Sequence, residues 1–159
     1  MEKRFVLSAA IVLYSCVINA GVLKDETDRF SGARSVSWRS MPQGVELFSL
    51  SATVFYPKGY AVPYSYDIQL VSVSDHSRYR ECHHTYWLVD GAPDPYLEMT
   101  YSETSGGSAS IERFSKSVDR QNLERIAAAK VIEFQICGVE GSVSDQDMDG
   151  LRQVLAATK

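Results

Sequence analysis

Apolar and polar residues alternate along much of the chain. Over residues 34–40, Val36 and Trp38 fall on one side, and Ser35, Ser37 and Arg39 on the other. Over 46–56, Phe48, Leu50, Ala52, Val54 and Tyr56 share a side opposite Ser49, Ser51 and Thr53. Successive side chains of a strand point to opposite faces, so this period of two predicts half-buried strands. Pro57, Lys58 and Gly59 break the second run, and Pro63 stands before a third, 64–73, which groups Tyr64, Tyr66, Ile68 and Leu70. Residues 74–77 predict a turn and 79–89 a fourth strand ending at Asp90-Gly91. The two prolines in 92–95 require a loop. Segments 96–102 and 109–115 flank Ser105-Gly106-Gly107, a hairpin signal.

The pattern changes after Ser117. Asp119 suits the N-cap of a helix running to about Lys130, with Leu123, Ile126 and Ala127 on one side. Residues 131–137 return to strand, 138–142 predict a turn, and a last helix fills the C-terminus. Strands joined by short turns pair antiparallel. The order therefore predicts an α+β fold, an antiparallel sheet of about six or seven strands with two C-terminal helices packed on one face. The alternative is a β-sandwich with helical decoration. Residues 34–159 read as one domain, and the polar segment 21–33 as a loosely held leader to it.

The first residues lie outside this pattern. MEKR is followed by an apolar stretch from Phe5 to Ser15, far shorter than the ~20 residues of a membrane span, and small residues follow near Ala20. Positive leader, apolar run and small-residue exit describe a secretory signal peptide over residues 1–20, cut after Ala20. A second exit exists, because Leu13-Tyr14-Ser15-Cys16 resembles the lipobox of bacterial lipoproteins, in which the cysteine is lipidated. The expectation is an exported protein, periplasmic or secreted, with membrane attachment only if Cys16 carries lipid.

Export changes the meaning of the remaining cysteines. Cys82 and Cys137 would meet an oxidising compartment, where a pair tends to bridge. The net charge of −4, with the basic residues scattered, speaks against nucleic acid as a partner.

Few stretches suggest chemistry. Asp145, Asp147 and Asp149 alternate ahead of Gly150, the opening spacing of a calcium loop. The acid needed at position twelve is absent, since Ala156 stands there, and Arg152 occupies the usually apolar eighth place. A helix start explains more: Ser144 as cap, Asp147 answering it in a capping box, and Met148, Leu151 and Leu155 as a buried stripe. In Glu81-Cys82-His83-His84, strand alternation would put Cys82 and His84 on one side and His83 on the other, too few ligands for structural zinc. No metal or other cofactor is expected.

There is no G-x-S-x-G elbow and no H-E-x-x-H pair. His84 with Asp90 or Glu98 is the combination open to a hydrolase-like site. Tyr60 and Tyr64, beside two prolines, and Trp87 on a predicted strand are candidate binding rings. The expectation is a binding or interaction module of the bacterial envelope, acting on an unidentified protein or envelope component through its sheet surface or the loops at 57–63 and 90–95. The competing reading is a secreted hydrolase using His84.

Overall fold

The structure, a computed structural model, describes residues 21–42 and 47–158. The expected leader at 1–20, its cut after Ala20, Cys16, and the start of the second strand at Glu46 lie outside the described residues.

In chain order the elements are β1 (Gly21–Thr27), β2 (Arg34–Ser40), β3 (Ser49–Tyr56), β4 (Ser65–Ser74), β5 (Thr85–Val89), β6 (Ala92–Pro93), a 3₁₀ turn (Pro95–Leu97), β7 (Thr100–Gly106), β8 (Ala109–Val118), α1 (Arg120–Ala128), β9 (Ile132–Ile136), β10 (Val139–Ser142) and α2 (Asp145–Ala157). A six-stranded sheet runs β1-β2-β3-β4-β8-β7, and a four-stranded sheet runs β10-β9-β5-β6. All neighbours are antiparallel. The fold is α+β, with both helices towards the C-terminus.

The alternation read from β2, β3 and β4 is the inner face of the large sheet. Leu50, Leu70 and Phe114 form one cross-strand row and are buried. α2 covers β1 to β3, and α1 packs on α2. The small sheet adds Trp87, Ile132, Phe134 and Ile136 to the same core. Phe48 joins the two sheets, with its ring centroid 5.3 Å from that of Phe134 and 6.3 Å from that of Phe114. The core predicted under two helices includes side chains of both and is closed further by the second sheet.

Both helix starts follow their sequence signals. Asp119 accepts from the N–H of Asn122, and Ser144 Oγ from that of Asp147. Two of the tightest hairpins have the positive φ at both central positions that a type I′ turn requires. Asp90 and Gly91 (φ 50° and 80°) join β5 to β6, and Cys137 and Gly138 (φ 52° and 85°) join β9 to β10.

Four expectations are corrected. Residues 21–33 are no loose leader, because β1 pairs with β2 along all seven of its residues and 28–33 form an ordered turn. The strand predicted over 79–89 begins only at Thr85, since the residues before it turn back across the end of β8. The turn predicted at 138–142 is mostly β10. The strand predicted at 96–102 is a 3₁₀ turn followed by β7.

Candidate functional site

Cys82 and Cys137 form a disulfide, with an S–S distance of 2.12 Å and a Cα–Cα distance of 5.8 Å. The neighbouring histidines do not join it in a ligand set. They precede β5, so strand alternation does not govern them. The His83 ring stacks on Tyr101, with centroids 4.2 Å apart, and its Nε2 lies 2.6 Å from the Arg80 carbonyl oxygen. His84 is exposed, and its carbonyl oxygen accepts from Cys137 N–H. His76 stands apart beside Asp75. Among the described residues no group of three or more His, Cys, Asp or Glu side chains is arranged to hold a metal ion.

The hydrolase candidates are divided by the fold. His84 and Glu98 line one cleft of about 460 Å³ with Tyr86, Leu88, Pro93 and Asp94. No hydrogen bond or ion pair joins His84 to Glu98 among the described residues. Asp90 is elsewhere: its carboxylate accepts from Lys130 N–H at 2.8 Å and Val131 N–H at 3.0 Å, tying the β5–β6 turn to the end of α1. These bonds hold its carboxyl below the usual carboxylate range. Thr85, the hydroxyl of the cleft, is buried and accepts from Met99 N–H. Asp94 faces Arg125 at 2.5 Å. A nucleophile held by a base, the minimum for acyl transfer, is not assembled here. Trp87, the third candidate ring, also lines this cleft, but only 4 % of it is exposed and it packs on Phe134 in the core.

The aspartate run has a structural explanation. Asp147 is buried, accepting from Trp38 Nε1–H at 2.9 Å and from Leu50 N–H at 2.8 Å. It does not return to the cap as the predicted box requires; it joins α2 to β2 and β3. Asp149 pairs with Arg152 at 2.7 Å, and Asp145 is exposed. Gly150 answers the remaining question, because a Cβ there would lie 2.2 Å from the Trp38 ring. The glycine gives the indole room and opens no ion loop. Titration with calcium should leave the melting temperature unchanged; a rise that scales with ion concentration would show a site the aspartates complete.

Sequence reading missed the polar knot at the opposite edge of the sheet. Glu112 on β8 has no exposed surface and accepts from Tyr79 N–H at 2.8 Å, Arg78 N–H at 3.0 Å and Tyr101 O–H at 2.9 Å. Glu103, directly across from it on β7, is bound by Arg80 and by the hydroxyls of Ser105, Ser77 and Ser110. Arg80 first, then those hydroxyls, hold the Glu103 carboxyl far below the usual range. With a depressed pKa, its contribution to stability is fully present above the unfolded value and fades as pH falls through the folded one. Burial and the neighbouring Glu112 push the Tyr101 phenol well above its ordinary value. The available signal was an acid at 112 sharing the inward parity of Phe114.

The other end of the large sheet is apolar at its tips. The β1–β2 turn, 28–33, and the β3–β4 loop, 57–64, emerge side by side because β2 pairs with β3. Phe30 is 82 % exposed, Tyr60 69 %, Val62 72 % and Tyr64 80 %. Phe30 and Phe55 line one open cleft with Glu26 and Ser35. Tyr60 and Tyr64 were legible as candidate rings, but only strand pairing reveals that Phe30 joins them.

Among the described residues no helix is long and apolar enough to cross a membrane. No family model, no curated protein and no solved structure matches the chain.

Proposed function

We propose that this is a small exported protein of the bacterial envelope that works as a binding or interaction module, and that the paired loops 28–33 and 57–64 are its contact surface. One observation carries the reading: four large apolar side chains stand in water on loops whose backbones are already fixed. Exposed apolar clusters mark interaction sites, and loops ordered before binding avoid the entropy of ordering on contact. The Cys82–Cys137 bond fits an oxidising destination. The 90–95 loop supports the reading less, since Asp90 is committed to the backbone of 130–131.

The hydrolase reading retains one observation, the shared cleft of His84 and Glu98.

Mass analysis of the exported product should show a chain beginning at Gly21, and a lipidated Cys16 would make the protein membrane-anchored instead. Serine at Tyr60, Val62 and Tyr64 together should leave the unfolding free energy within about 1 kcal/mol of wild type, because exposed side chains contribute little to the fold. Binding to envelope preparations should fall at least about tenfold, the scale of losing a contact cluster. Undiminished binding by that variant would place the contact surface elsewhere.

A further inference from the structure

The loop pair combines exposed apolar side chains with a local charge opposite to that of the whole chain. The chain carries −4, yet loops 28–33 and 57–64 hold two cations, Arg29 and Lys58, against one acid, Asp28. That acid is turned inward to the loop, accepting from Phe30 N–H at 3.0 Å, Ser31 N–H at 2.6 Å and the Ser31 hydroxyl at 2.8 Å. Of the acids just behind, Asp25 pairs with Arg34 at 2.7 Å and Glu26 with Lys24 at 3.4 Å, while Asp67 accepts from the Ser65 hydroxyl at 2.9 Å. Arg29 lies over the Phe30 ring, 4.4 Å from its centroid. The Lys58 stem runs against Gly32, linking the two loops.

Resting on the proposed binding role, we propose that this end of the protein docks on an anionic lipid surface. Phe30, Tyr60, Val62 and Tyr64 enter the headgroup layer, while Arg29 and Lys58 meet lipid phosphates. Aromatic side chains settle at the membrane–water boundary, and long basic side chains keep their charge at phosphate level while their stems follow the apolar layer. Anionic headgroups attract such cations within a Debye length. A sugar site would set ring faces among hydrogen-bonding side chains, whereas Phe30 and Val62 offer no polar atom beyond the backbone.

Both loops keep their shape without a partner. Hydrogen bonds from Asp28 N–H to Ala33 O (2.8 Å) and from Gly32 N–H to Asp28 O (2.7 Å) close the first. Those from Tyr60 N–H to Pro57 O (3.1 Å) and from Tyr64 N–H to Phe55 O (2.8 Å) close the second. Docking therefore orders side chains only.

The test is sedimentation of the mature exported protein with vesicles of phosphatidylcholine alone or mixed equally with phosphatidylglycerol. Binding is expected on the mixed vesicles, weaker by about tenfold on phosphatidylcholine and at high salt, where surface charge is screened. The Phe30→Ser/Tyr64→Ser variant should lose about tenfold in binding with its far-ultraviolet circular dichroism and melting temperature unchanged. The Arg29→Glu/Lys58→Glu variant should lose a similar amount along with the salt dependence. Absence of sedimentation with mixed vesicles, or equal binding by wild type and both variants, would overturn the proposal. If loop variants lose a protein partner while wild type ignores vesicles, the lipid is wrong and the binding role stands. If the loop variants change nothing in either experiment, both fail.

Discussion

Replacing Asp147 by alanine should destabilise the fold by about 3 kcal/mol or more in equilibrium urea unfolding. The carboxylate accepts two buried hydrogen bonds, from the Trp38 indole and from Leu50 N–H. Deleting it leaves both donors without a partner away from water, at about 1–3 kcal/mol each. Loss of α2 docking should follow, because these bonds tie the helix to β2 and β3. A companion variant makes the test sharper. Gly150→Ala would gain about 1 kcal/mol from helix propensity alone. Since the added carbon would sit 2.2 Å from the indole, the net effect should instead be destabilising. A stabilised Gly150→Ala protein, or an Asp147→Ala protein within about 1 kcal/mol of wild type, would mean that α2 and Trp38 are not packed as described.

The second large effect belongs to the disulfide. Replacing Cys82 and Cys137 together by serine should cost about 4 kcal/mol, the chain-entropy value for a loop of this length. The bond closes a separation of 55 residues. The damage should be uneven. Arg78 and Tyr79, a few residues ahead of Cys82, donate their main-chain N–H groups to buried Glu112, so their hydrogen exchange should accelerate before that of β3 or β4. Uniform acceleration would show that the bond acts on the unfolded chain alone and does not hold the 78–82 segment against the sheet.

Alternation was most legible where one face of a strand is buried and the other is wet, as along β2, β3 and β4. The first strand was hidden because it is an edge. Val22 and Leu23 are both partly in water and Lys24, Asp25 and Glu26 follow, so no apolar face emerges from the order of residues. Residues 79–84 misled in the opposite direction. Tyr79 is buried and the spacing suits a strand, but the segment is turned by the disulfide and by Glu112, both contacts distant in sequence. β10 has four residues and little inward side-chain mass to announce it.

The candidate site divides the same way. Tyr60 and Tyr64 could be chosen from their place between prolines. Trp87 could not be judged, since alternation sorts a strand into two faces without saying which one is covered. Here the core takes Thr85 and Trp87, and water takes Tyr86 and Leu88. Glu112 resisted prediction for a related reason. Its parity was correct for burial, but the N–H groups that make burial tolerable come from a turn more than thirty residues earlier.

Trp38 sits where the first strand and the last helix converge. An added Cβ at Gly21 or at Gly150 would collide with its ring. A chain synthesised from its N-terminus therefore completes the strands of both sheets before α2 exists, and the indole stays uncovered until that helix docks. Until then the apolar face of β1 to β3 lies open to water, the condition in which partly folded chains associate.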